Sequence, residues 1–304
     1  MKVIFIQSSV AASTQLSKIR LSLLSLIVMT GLAANTANAA LASQVLPVKY
    51  HAGQYCPSDM KAFVPKGTAH KNFVADISCM RQQLQAYQAE HQPINTRFQA
   101  YKADAWLSYV GHEDSEASLT KAGHYALNEA LSILEALKTN QVDKLPLTAD
   151  IPPTSGLQRP DLWASLLTIK QTPAFTPLVK TVADSEVKLI WAEAEFCEFG
   201  WRHSREHYSA ADRWVATAEL TALNTSGVDK QSFNALKTQY LARLKPLAAT
   251  KNSKQSCRGA VLPYIELPKV GMAEPSPQPL PLPVVVPVAS PIELNSAFKP
   301  AIVG

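Results

Sequence analysis

Between about Phe73 and Ala248 apolar residues recur every three to four positions, with almost no glycine and almost no period-two alternation. That period restricts the segment to helices, because strands bury alternate residues and need turn signals at short intervals. Phe73, Ile77, Met80, Leu84 and Tyr87 form one stripe, which Pro93 ends; Phe98, Tyr101, Ala105 and Tyr109, with Trp106 beside them, form a second. Leu119, Ala122, Ala126, Ile133 and Leu137 follow, and then Pro160 suits the first turn of a short helix in RPDLWASLL. Val187, Ile190, Ala194, Cys197 and Trp201 read as one long stripe, continued in the same period by Tyr208, Ala211, Val215 and Leu220. Asp229 is the expected N-cap of a last helix carrying Phe233, Leu236, Tyr240 and Leu244 and closing near Pro246. The expected fold is all-α, a bundle of six or seven helices over residues 70–250, long enough to bury one core.

The flanks have a different character. Residues 1–39 read as a secretory signal peptide: Lys2, Lys18 and Arg20 precede the apolar run LSLLSLIVMTGLAA (Leu21–Ala34), and Ala37-Asn38-Ala39 fits the small-x-small cleavage rule. The run has 14 residues, short of the roughly 20 that span a bilayer, and no later run is long enough. Residues 40–69 are an irregular N-terminal arm, and residues 251–304 a proline-rich tail with ten prolines from Pro263 onward. Proline fixes φ and lacks a donor, so the tail is expected to be extended, a tether at roughly 3 Å per residue. The 29 Lys+Arg and 24 Asp+Glu of the chain become 26 and 24 once the leader's three bases are set aside. No basic block remains to suggest nucleic acid.

Four cysteines, Cys56, Cys79, Cys197 and Cys257, follow the leader, an even number that in an exported chain suggests two disulfides. Cys79 and Cys197 lie on helices, whereas Cys56 and Cys257 lie in the irregular flanks. A flexible arm reaches a fixed helical cysteine more readily than two rigid helices meet, which favours Cys56–Cys79 with Cys197–Cys257 over the crossed pairing. No CxxC occurs to suggest redox catalysis or a structural zinc.

One motif suggests chemistry. His203-Ser-Arg-Glu206-His207 matches the H-x-x-E-H pattern of one class of zinc proteases, with two imidazoles on one helix face and a glutamate to polarise a bound water. A catalytic zinc needs a third protein ligand, which that class takes from an acid well downstream. Here Glu266, Glu274 and Glu293 stand in or beside the proline-rich tail. The expectation is an amphipathic helix with its histidines and arginines near water and Trp201 and Tyr208 packed inward. The chain is read as non-enzymatic, with no metal and no cofactor. His112-Glu113-Asp114 and His124 are a weaker metal-binding possibility. The five tryptophans, Trp106, Trp163, Trp191, Trp201 and Trp214, fit core positions better than a ligand pocket. A zinc hydrolase at HSREH and a small-molecule binder lined by those tryptophans are the alternatives. No G-x-S-x-G, P-loop or dinucleotide fingerprint occurs.

YKADAWLSYVGHEDSE (101–116), RPDLWASLLTIK (159–170) and VKLIWAEAEFCEFGWRH (187–203) resemble, in order, stretches in the helical region of proteobacterial envelope proteins of the OmpA family. That resemblance spans roughly residues 72–223. In those proteins the helical region precedes a proline-rich linker and a peptidoglycan-binding domain. PIELNSAF (291–298) looks like the opening strand of such a domain, but no residue here matches the positions that grip peptidoglycan. The resemblance therefore implies a periplasmic or outer-membrane-associated protein whose helical domain is a spacer or meets a protein partner in the envelope, with peptidoglycan the weaker expectation.

Overall fold

The computed structural model describes residues 50–68, 70–115, 120–148, 150–248 and 257–265. The leader, the start of the arm and the tail beyond Ile265 lie outside them. Among the described residues seven α-helices account for the fold: α1 (Lys71–Gln88), α2 (Ile94–Ser115), α3 (Lys121–Lys138), α4 (Pro160–Lys170), α5 (Phe175–Phe199), α6 (Trp201–Asn224) and α7 (Lys230–Leu244). The only β pairing among them is an isolated antiparallel bridge between Ile151 and Ala260.

The helix ends follow their local chemistry. The Thr120 hydroxyl accepts from the Gly123 amide at 3.1 Å to cap α3, and it also donates to Glu113 at the end of α2 at 2.6 Å. Asp229 caps α7 through the Ser232 amide at 2.7 Å. The Thr120 cap is worth about 1 kcal/mol, because that half-buried helix start otherwise leaves amides without acceptors. Pro160 opens α4 at its first turn. Gly200 separates α5 from α6 at φ +81°, a left-handed conformation that costs glycine little and a side-chain-bearing residue more.

Helices α2 and α5 are the centre of the packing: α2 meets α1, α3 and α5, and α5 meets α2, α6 and α4, while α4 also meets α6 and α7. The shared core holds Phe98, Trp106, Leu107, Trp163, Leu166, Val182 and Ile190, each 2 % exposed or less. A leucine buried this fully contributes on the order of 2 kcal/mol. The helix stripes hold with two exceptions, Trp201 and Leu220, the latter 64 % exposed; Leu119 lies outside the described residues. Trp201 is 60 % exposed and Trp214 39 % exposed, whereas Trp106, Trp163 and Trp191 are buried. The reason is the break at Gly200: Trp201 opens a new helix and no longer continues the inward face of α5. Tyr208 does pack inward and donates to Glu193.

Both flanks are stapled to the bundle. Cys56 is bonded to Cys79 of α1, and Cys197 of α5 to Cys257, with Cα separations of 5.2 and 5.8 Å; this is the pairing that arm reach favours. Buried Asp76 of α1 holds the N-terminal arm as well, accepting from the Tyr50 hydroxyl at 2.8 Å and the amides of Gly53 and Tyr55 at 2.7 and 3.1 Å. The C-terminal flank is held as well. Residues 257–265 dock on the bundle: Ile151 and Ala260 exchange two backbone hydrogen bonds, the Gly259 amide donates to the Ser155 carbonyl, and Leu262 and Ile265 are buried. A Cβ on Gly259 would lie 2.6 Å from the Ile151 carbonyl oxygen, so only glycine permits this approach.

A charged cluster sits inside the core. Lys170, at the end of α4, is wholly buried and donates to the Leu147 carbonyl and to Glu186 of α5. Lys102 of α2 stands 3.6 Å from the other Glu186 oxygen. Two ammonium groups thus share one carboxylate away from water. Burial, with the second lysine nearby, pulls the Lys170 ammonium down to about 8.

Candidate functional site

The HSREH histidines part company. The inward stripe of α6 runs through Ser204, His207, Tyr208, Ala211 and Val215. His207 lies on it and is 6 % exposed. His203 lies at its edge in the first turn, beside the last residue of α5, and stays exposed with its ring 5.1 Å from that of Phe199. Glu206 is exposed as well, its carboxylate 3.7 Å from Nε2 of His207. Among the described residues, no group of three converging metal-type ligands includes His203.

His207 instead meets partners from two other helices. His112 of α2, Glu195 of α5 and His207 each bring a ligand atom to within 4.8 Å of the others. Glu195 is 3 % exposed. The cluster is built around Trp191, one turn before Glu195 on α5. The indole Nε1 donates to Glu195 Oε1 at 3.0 Å. The ring stacks on Tyr109 and His207, at 4.7 and 4.4 Å between centroids, and meets His112 edge-on at 4.8 Å. A single face of α5 carries this arrangement, because Lys188, Trp191 and Glu195 are spaced i, i+3 and i+7.

Lys188 completes the site. Its Nζ lies 3.7 Å from the Trp191 centroid and 5.9 Å from that of Trp214, and it is 3.1 Å from Nδ1 of His207. Burial, then the Lys188 charge, then His112 push the His207 imidazole down to about 4, so the ring is neutral at neutral pH. Burial also lowers the Lys188 ammonium, and nearby Glu206, Asp184 and Glu195 oppose that shift. A neutral imidazole, a second imidazole and an oriented carboxylate are the donor types of borderline divalent ions.

A second convergent group, Glu193 with Cys197 and Cys257, offers no thiolate, because its two sulfurs are bonded to each other. Burial raises Glu193 to about 7. A cleft of about 220 Å³ opens elsewhere, between the N-terminal arm and α3, and is lined by His51, Tyr55, Leu134 and Glu135 among others, with no tryptophan. Of the residues that the sequence motifs point to, His112 and His207 come together, Glu206 stays exposed beside His207, and His203 and His124 belong to no convergent group among the described residues. Glu195 and Lys188 belong to no motif. Their signal in the sequence is a charged residue on the apolar face of α5, spaced four and three residues from Trp191.

No family model, curated protein or solved structure matches the chain.

Proposed function

We propose that this is an exported protein of the bacterial cell envelope, periplasmic or outer-membrane-associated, whose helical bundle is a non-enzymatic scaffold for a protein partner. On this reading the proline-rich tail is the tether, and the bundle corresponds to the helical region of OmpA-family envelope proteins. The observation that carries the reading is the pair of disulfides, which bind both irregular flanks to the bundle. Such bonds persist in oxidising compartments and are reduced in the cytosol, which agrees with the leader expected at residues 1–39. The surface offered to a partner is the α5–α6 corner, where Phe199 and Trp201 are 54 % and 60 % exposed on either side of Gly200. Adjacent exposed aromatics are a common anchor for protein partners, since they bury much apolar area at low entropic cost.

The test is expression with the leader intact, followed by cell fractionation, intact-mass measurement and photo-crosslinking from position 201. Export predicts a mature chain beginning at Ala40 in the periplasmic or outer-membrane fraction, with no alkylatable thiol. A scaffold predicts a discrete crosslinked adduct from position 201 and none from position 237 on α7. A full-length chain with free thiols in the cytosol refutes export, and absence of an adduct from position 201 refutes the corner as the partner surface.

A further inference from the structure

We propose that His112, Glu195 and His207 form a binding site for a divalent first-row transition ion of the Zn²⁺ type, and that Lys188 is its built-in competitor. The site takes one residue, His207, from the HSREH motif and draws its other ligands from α2 and α5, and it is independent of the scaffold reading. Three different helices supply one ligand each, two nitrogens and one carboxylate oxygen, with mutual separations inside 4.8 Å. Ligands at about 2.0–2.2 Å from a tetrahedral zinc lie roughly 3.3–3.6 Å apart, so small side-chain rotations close the set around an ion.

The surroundings are those of a built site. Trp191 orients Glu195 through Nε1, as an outer-shell donor orients a ligating carboxylate, and its ring stacks on His207. Glu195 and His207 are almost completely buried, so an ion here would lie in a low-dielectric setting where two imidazoles and a carboxylate count for more than at a surface. His112 is half-buried and supplies the more open side.

Lys188 opposes the ion whichever ring nitrogen of His207 is used. If Nδ1 is the ligand, the lysine Nζ at 3.1 Å already occupies its lone pair. If Nε2 is the ligand, a hydrogen bond from Lys188 to Nδ1 holds the ring in the tautomer whose Nε2 carries the proton. In both cases the ammonium also repels the ion directly. Because Nζ stands at hydrogen-bond distance from Nδ1, an ion bound there has to displace the lysine.

The experiment is calorimetric titration of the disulfide-intact mature chain with ZnCl₂, with far-UV circular dichroism on every variant. One ion per chain is expected. Glu195→Gln keeps an acceptor for Trp191 but removes the anionic ligand; this variant and His112→Gln are each expected to weaken binding by at least about tenfold. Lys188→Met is expected to tighten it by at least about tenfold, because a like charge near 4 Å at intermediate dielectric exceeds that factor. His203→Ala is expected to leave affinity unchanged. As a measurement that needs no variant, Zn²⁺ should shift the imidazole NMR resonances of His112 and His207 together and leave that of His203 in place. One-to-one binding absent from both wild type and Lys188→Met overturns the proposal. So does binding that survives Glu195→Gln and His112→Gln or depends on His203. Equal affinity in wild type and Lys188→Met refutes the competing role of the lysine.

Discussion

The buried lysine at the end of α4 should make the protein more stable as pH rises from 7 to 9.5. Lys170 has a folded value of about 8 against an ordinary 10.5, so the unfolded chain binds more protons throughout the interval between them. The sign follows: a base whose folded value is depressed opposes folding at low pH, and that penalty is relieved as pH climbs through 8 toward 10.5. With those two values the relief between pH 7 and 9.5 is about 2 kcal/mol, since a tenfold change in proton affinity is worth about 1.4 kcal/mol. At a urea dependence of about 2 kcal/mol per molar, the unfolding midpoint should move up by about 1 M. Tryptophan fluorescence in urea at pH 7, 8, 9 and 9.5 reads it. Above pH 10 the trend is opposed, because burial raises Tyr109, Tyr125 and Tyr208 and their contribution to stability is lost there.

Lys170→Met should flatten most of that slope, leaving the smaller contribution of Lys188, which shifts the same way. At pH 7 it should cost no more than about 1 kcal/mol, because Glu186 keeps Lys102 at 3.6 Å while one buried cation is removed. Glu186→Leu should instead cost about 3–5 kcal/mol, because it removes the carboxylate that Lys170 donates to and leaves that buried ammonium unpaired. A flat wild-type profile, or a Lys170→Met variant as damaged at pH 7 as Glu186→Leu, would refute the reasoning.

Removing the disulfide between Cys197 and Cys257, which are 60 residues apart, should cost about 4 kcal/mol, and removing that between Cys56 and Cys79, 23 apart, about 3 kcal/mol, on loop-closure entropy alone. Paired Cys→Ala variants in urea check the order. Trp106→Ala should destabilise by about 3–5 kcal/mol, whereas Trp201→Ala should cost under about 1 kcal/mol, because the first ring is buried and the second mostly exposed. The same unfolding curves decide it. Gly259→Ala should undock residues 259–265, which stay tethered through Cys257, since its Cβ would meet the Ile151 carbonyl oxygen at 2.6 Å and its φ is +72°. Loss of hydrogen-exchange protection at the Ile151 and Ala260 amides, with protection in α2 and α5 retained, is the expected signature.

The helical class was legible because 3.6-residue periodicity is a local property, written in Phe73–Leu84, Ala122–Leu137 and Val187–Ala194 without reference to any partner. The caps at Thr120 and Asp229 are local in the same way, since each accepts from an amide three residues on, and the proline at the head of α4 fixes φ and lacks an amide that would go unbonded there. The arm-to-helix pairing of the cysteines was favoured because chain flexibility bears directly on reach. Trp201 shows where local reasoning stopped. A single glycine in the left-handed region starts a new helix axis, and the same periodic pattern then points the ring to water. HSREH shows the same limit at the site. Spacing puts His203 and His207 on one helix, but which of them finds partners depends on where α2 and α5 pass beneath α6. His112, Glu195 and His207 lie 83 and 12 residues apart along the chain, and no periodicity carries that information. Their convergence, like the sharing of Glu186 by Lys102 and Lys170, is decided only when three helices pack, because long-range neighbours are set by helix packing and local patterns are set by the backbone.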